Sequence, residues 1–114
     1  MEFEYTEEDE KAGLYKLSGS LIGEHDGMSL LNHFADRVEE GQHHFVIDLS
    51  AIKHINSTGL GVFITLLTKA RKKGGEVVLV NPSEYIKNLL LITKLNSIFQ
   101  IFKNDEEAIL SFNK

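Results

Sequence analysis

Two short runs set the strongest constraint on how this chain folds. Phe45-Val46-Ile47-Asp48-Leu49 and Val77-Val78-Leu79-Val80 are almost unbroken stretches of apolar, largely β-branched residues. A strand with one wet face alternates polar and apolar residues. A continuous run of this length suits a strand covered on both faces. A helical pattern follows each run. Over 58–73, Leu60, Phe63, Ile64, Leu67 and Arg71 recur at helical spacing, and Gly74-Gly75 stops the helix. After Val80, Asn81-Pro82-Ser83-Glu84 reads as a helix start, with Asn81 capping, Pro82 in the first turn and Glu84 completing a capping box. That helix is expected to run to about residue 92.

Upstream, Phe3 and Tyr5 alternate with glutamates, and Leu14-Tyr15-Lys16-Leu17 forms a second strand pattern. The two read as a hairpin joined by a charged turn over 7–11. Over 26–40, Leu30, Leu31, Phe34 and Val38 share a helical face, with Asp26 as N-cap and Gly41 as C-cap. Ile98-Phe99-Gln100-Ile101 reads as a short last strand. Asn104, with Glu107 three residues on, starts a final helix through Ile109, Leu110 and Phe112. The order β-β-α-β-α-β-α-β-α predicts parallel pairing with right-handed crossovers after the hairpin. The expected fold is α/β: a single mixed sheet of about five strands, the N-terminal hairpin at one edge, packed with about four helices. Residues 1–114 read as a single domain, without repeat or linker.

Composition narrows the function classes. The net charge is −5, which disfavours nucleic acid and anionic membrane surfaces as partners. No apolar run reaches the roughly 18–20 residues of a membrane span. Cysteine is absent, and the acidic start MEFEYTEEDE lacks the basic and apolar regions of a secretory signal. The expected location is cytoplasmic.

The chemistry concentrates in Ile55-Asn56-Ser57-Thr58-Gly59-Leu60-Gly61, where a strand-like lead-in meets the start of the 58–73 helix. Backbone N–H groups at a helix start lack carbonyl partners and carry partial positive charge. Ser57 there either caps the helix or carries a phosphate that those N–H groups favour. Thr58 is the fallback acceptor, though helix initiation is its simpler role. Gly59 and Gly61 allow close approach of backbone or partner, or tight helix–sheet packing.

Val46-Ile47-Asp48-Leu49-Ser50, the 55–61 element, Gly74-Gly75 and the strand that follows together resemble a STAS domain, and more closely the bacterial anti-sigma factor antagonists. The resemblance covers about 14–112. It implies a non-enzymatic module that binds an anti-sigma factor acting also as a serine kinase. That kinase supplies ATP and Mg²⁺, phosphorylates Ser57 and so breaks the complex, and a phosphatase resets it. The chain itself needs no cofactor and shows no Walker-type loop. The implied contact surface is 55–61 (Ile55, Asn56, Ser57, Thr58, Gly59, Leu60, Gly61) with Ile22, Glu24 and Asp26. Two positions depart from the family pattern. Asn56 stands where most members have aspartate, and Ile22 where the family carries an acid near the phosphorylation site. Both lean toward the alternative reading, a STAS scaffold subunit of a lipid-transport or stress-signalling assembly without a phospho-switch.

Other features read as structural. His54, three residues before Ser57, suggests a hydrolase, but no G-x-S-x-G elbow is present. His25, His33 and the pair His43-His44 lack metal-ligand spacing. Lys69, Arg71, Lys72 and Lys73 suit a solvated helix end that complements the dipole. Leu89, Leu90 and Leu91 cannot all face one stripe: either one is exposed at an interface, or the sheet and the last helix cover all three.

Overall fold

The computed structural model describes residues 1–8, 12–23 and 25–112. Five strands form one sheet in the order β1-β2-β3-β4-β5. β1 (Glu2–Glu8) pairs antiparallel with β2 (Ala12–Leu21). β2, β3 (His44–Ile55), β4 (Glu76–Val80) and β5 (Ile101–Phe102) then pair in parallel. The helices are α1 (Met28–Glu39), α2 (Ser57–Lys72), α3 (Glu84–Ile92) and α4 (Asp105–Ser111). The expected mixed sheet, edge hairpin and four helices are all present.

The apolar runs are covered on both faces, as expected. Phe45, Ile47 and Leu49 point into a core built with Leu30 and Phe34 of α1, Phe63 and Leu66 of α2, and Ile86 and Leu90 of α3. Val46, alternating with them, joins Leu14, Val78, Val80 and Ala108 of α4 in a smaller cluster on the opposite face. α1, α2 and α3 therefore share one side of the sheet, and α4 covers the other.

Several boundaries differ from the sequence reading. Glu7 and Glu8 belong to β1 rather than to a turn; the rest of that expected turn, 9–11, lies outside the described residues. β3 runs six residues past Leu49. Beyond Asp48 it pairs with β2 alone, with register shifts along that pairing, and Ser50, Ala51, Lys53 and His54 are exposed. Asp26 does not cap α1. A 3-10 turn, His25–Gly27, precedes that helix, and Gly27 holds the N-cap position. α3 starts later than expected, with Ser83 as its N-cap, its Oγ accepting from Ile86 N at 3.3 Å. Asn81 is held instead by the sheet: its N–H donates to Phe102 O at 2.9 Å, at φ 50°. Ile98 and Phe99 lie in a turn after a second 3-10 segment, Leu95–Ser97. Phe99 is buried in the larger core, and β5 begins two residues later. Asn104 caps α4 as expected, its Oδ1 accepting from Glu107 N at 2.8 Å.

Candidate functional site

The site forms where β2 and β3 end beside the first turn of α2. β3 delivers Asn56 in an extended conformation, and its side-chain Oδ1 accepts from Gly59 N at 3.0 Å. Asn56 is thus the N-cap, and Ser57 is the first helical residue. The reading of Ser57 as the cap is displaced by its neighbour. The Asn56 main-chain carbonyl accepts from Leu60 N at 2.9 Å. The N–H groups of Ser57 and Thr58 precede the helical ladder and have no partner among the described residues.

Ser57 and Thr58 are exposed. The Ser57 hydroxyl makes no hydrogen bond to any described residue. His54 makes no hydrogen bond to it; its Nδ1 lies 3.4 Å from Ser20 Oγ on the neighbouring strand. The structure therefore does not join the His54 and Ser57 of the hydrolase reading.

A second loop is tied to the first. Asn56 Nδ2 donates to Ile22 O at 2.9 Å, and Ile22 N donates to Asp26 Oδ2 at 3.0 Å. The peptide groups on both sides of Ile22 are thus held, and its side chain stays 51% exposed. Asp26 acts inward as a loop clamp. Glu24 lies outside the described residues.

The two glycines of the element have different reasons. A Cβ on Gly59 would lie 2.0 Å from Leu21 O, so this position admits only glycine without displacing the β2 end. A Cβ on Gly61 would meet nothing within 4 Å. Packing inside the chain explains Gly59 and leaves Gly61 unexplained.

The predicted contact set divides accordingly. Ile22, Asn56, Ser57 and Thr58 are exposed, and Asp26 and Gly61 are half-buried. Ile55, Gly59 and Leu60 are buried and offer little exposed surface to a partner. The Ile55 and Leu60 side chains anchor the loop to the core, as apolar residues beside a strand end do.

Residues 5–108 match the family model of the STAS domain. The chain belongs to that family. A Thermotoga neapolitana protein, a homologue of the candidate anti-sigma factor antagonist TM1081, is 32% identical over 76 residues, 67% of each chain. The crystal structure of TM1081 from Thermotoga maritima superposes with a TM-score of 0.89 at 24% identity, covering 98% of this chain and 95% of that one. The phosphorylated form of the Bacillus cell fate determinant SpoIIAA gives 0.77 at 17% identity, covering 95% and 96%. These two structural likenesses concern the fold.

This STAS domain adds residues that no motif indicated. Tyr85, in the first turn of α3, donates its hydroxyl to Ile55 O at 3.0 Å and remains 56% exposed. Its side chain flanks the β3–α2 junction. Met28, after Gly27 at the start of α1, is 53% exposed. Gly27 packs against Val62 of α2: a Cβ there would lie 2.7 Å from Val62 Cγ2. No sequence signal marked Tyr85, because its link to the site spans 30 residues and uses a main-chain carbonyl.

Proposed function

We propose that this STAS domain is an anti-sigma factor antagonist. In this reading it binds an anti-sigma factor that is also a serine kinase, and phosphorylation at Ser57 ends the complex. The observation that carries the reading is the exposed Ser57 hydroxyl, free of hydrogen bonds to the described residues, in the first turn of a helix whose cap comes from Asn56. Because Asn56 does the capping, Ser57 can be modified without uncapping α2.

The partner supplies ATP and Mg²⁺. The Ser57 Oγ attacks the γ-phosphorus, the bond to the β-phosphate oxygen breaks, ADP leaves, and the hydroxyl proton passes to a base of the kinase. The product carries about −1.5 to −2 charge at neutral pH. The free N–H groups of Ser57 and Thr58 and the helix dipole favour that charge within the domain. In the complex the same charge would be desolvated against the partner, at a cost of several kcal/mol unless it is matched. The cost falls on binding and not on folding. A phosphatase returns the serine. The contact surface comprises Asn56, Ser57, Thr58 and Gly61 with Ile22 and Asp26, and the setting is cytoplasmic. The name carried by the Thermotoga relative and the phosphorylated form of SpoIIAA support this reading.

The test combines the purified protein with the serine-kinase anti-sigma factor of its source organism, ATP and Mg²⁺. Intact mass should rise by one phosphate in the wild type and not in Ser57→Ala, and the wild-type complex should dissociate. A stable complex with unchanged mass supports instead the scaffold reading, which the neutral Asn56 and apolar Ile22 favour.

A further inference from the structure

The end of α2 farthest from Ser57 carries charge of the opposite sign to the chain as a whole, whose net charge is −5. Lys69, Lys72 and Lys73 stand exposed there. Spacings of three and four residues put Lys72 and Lys73 beside Lys69 on one side of the helix. That side faces α1. A groove of about 170 Å³ lies between the two helices, lined by Ala35, Val38 and Glu39 of α1 and by the three lysines. Val38 is buried and Ala35 half-buried, so the groove has an apolar floor under a cationic wall.

Nothing inside the chain uses these lysines. None of the three ammonium groups forms an ion pair with a described residue. Arg71, in the same turn, does: it pairs with Glu76 and donates to Ile98 O, and so ties the helix end to β4. On the α1 side, Arg37 and Glu40 pair with each other at 2.8 Å. Asp36 is exposed and lies outside the lining, which leaves Glu39 as the carboxylate of the groove. The end of a helix carries about half a negative charge, less than three lysines are needed to offset. The groove is therefore cationic.

We infer that the α1–α2 groove docks an acidic segment of a partner protein, one in which carboxylates flank an apolar side chain. The carboxylates meet Lys69, Lys72 and Lys73, and the apolar side chain lies on Ala35 and Val38. Charge complementarity chooses this occupant. A cationic segment would meet three like charges, and a purely apolar one would strip water from three ammonium groups without replacing it. A nucleic acid would bring its further phosphates against the net negative charge of the chain. With 16 residues, α2 is about 24 Å long, well beyond the screening length in physiological salt. The groove and Ser57 are thus electrically separate, and the docked segment stays bound whether or not Ser57 carries a phosphate.

The experiment uses the full chain and a fluorescein-labelled peptide, Glu-Glu-Leu-Glu-Glu, with Gln-Gln-Leu-Gln-Gln as its neutral counterpart. Fluorescence anisotropy should show saturable binding of the acidic peptide and about ten-fold weaker binding of the neutral one. Lys69→Gln, Lys72→Gln and Lys73→Gln combined should weaken the acidic peptide about ten-fold, and Lys72→Gln alone about two-fold. Affinity should fall steeply between about 50 and about 500 mM salt. It should be the same for Ser57→Asp as for the wild type. The melting temperature of the triple variant should stay within about 3 °C of the wild type, since the three side chains are exposed. Absence of saturable binding, unchanged affinity in both lysine variants, or loss of binding in Ser57→Asp overturns the inference. So does either rival occupant. Self-association that the lysine substitutions abolish, read by sedimentation, gives the groove to a second copy. Tighter binding of a short single-stranded oligonucleotide than of the peptide gives it to nucleic acid. The proposed function of Ser57 stands or falls by its own test.

Discussion

The Asn56 carboxamide spans two chain segments: Nδ2 donates to Ile22 O at 2.9 Å and Oδ1 accepts from Gly59 N at 3.0 Å. An aspartate could keep the second bond but has no hydrogen to offer Ile22. Asn56→Asp should therefore preserve the helix cap and release the loop. The expected change in stability is under about 1 kcal/mol, since one lost neutral bond is offset in part by charge at the helix start. Amide exchange over 22–26 should speed up markedly while α2 is unaffected. Unchanged exchange there would show that the bond does not hold the loop.

Gly59 and Gly61 offer an opposed pair. In Gly59→Ala the new methyl meets Leu21 O, and either β2 or α2 must shift. A loss of about 3 kcal/mol or more in denaturant unfolding is expected. In Gly61→Ala the methyl enters open space, and helix propensity should add up to about 1 kcal/mol. The same methyl stands on the helix face that carries Ser57, so in the proposed function partner affinity should fall while stability rises. A Gly61→Ala protein that is more stable and binds equally well would remove Gly61 from the interface.

Sheet topology was legible because the β-branched runs at 45–49 and 77–80 have little choice but a doubly covered strand. The exposed helix start at Ser57 was legible because strand, turn residues and helix meet within seven positions. What escaped depends on distant partners. The full length of β3 was legible only as a strand-like lead-in, since past Leu49 most of its residues are exposed and only β2 holds it. Asn81 loses the cap role to Ser83 because a β5 carbonyl captures its N–H. Of the three leucines, Leu90 is buried, and Leu91 is 61% exposed. Arg71 is not merely solvated: it pairs with Glu76 at 3.2 Å and donates to Ile98 O at 3.1 Å.

Beneath the hairpin, the buried Tyr15 hydroxyl lies 2.7 Å from His33 Nδ1, with Phe3 and Tyr5 packed against the imidazole. Burial, followed by the Arg37 guanidinium, lowers the His33 pKa below its usual 6.5. In the tautomer with Nδ1 unprotonated, the tyrosine O–H donates to it. The unfolded chain binds this proton at higher pH than the folded one. Stability from this site is therefore complete above about pH 6.5 and declines as the pH falls toward the lowered value. The His33 ring resonances should titrate below the ordinary histidine value of about 6.5. Tyr15→Phe should cost about 1 kcal/mol at pH 7.5. A His33 titration at or above about 6.5 would contradict the assignment.

On the opposite face, Asp105 opens α4 beside the buried Asp48 of β3, with Lys16 Nζ 3.8 Å away. Asp105 Oδ1 is buried without a donor among the described residues. Burial first, and then the Asp48 carboxyl, push the Asp105 pKa from 3.8 to about 6, against the pull of Lys16. The folded protein thus holds this proton over a range where the unfolded chain has lost it. Stability is highest below about pH 4 for this site and is lost as the pH rises to about 6. This slope opposes that of His33, and variants separate them. Asp105→Asn removes the second carboxylate and keeps a polar residue of the same shape. It should raise stability at pH 7.5 by about 0.5–1 kcal/mol once solvent screening is allowed for. It should also flatten the stability profile between pH 4 and 6. If urea unfolding at pH 4.5 and 7.5 gives wild type and Asp105→Asn the same difference, the Asp105 carboxyl holds no extra proton in the folded state.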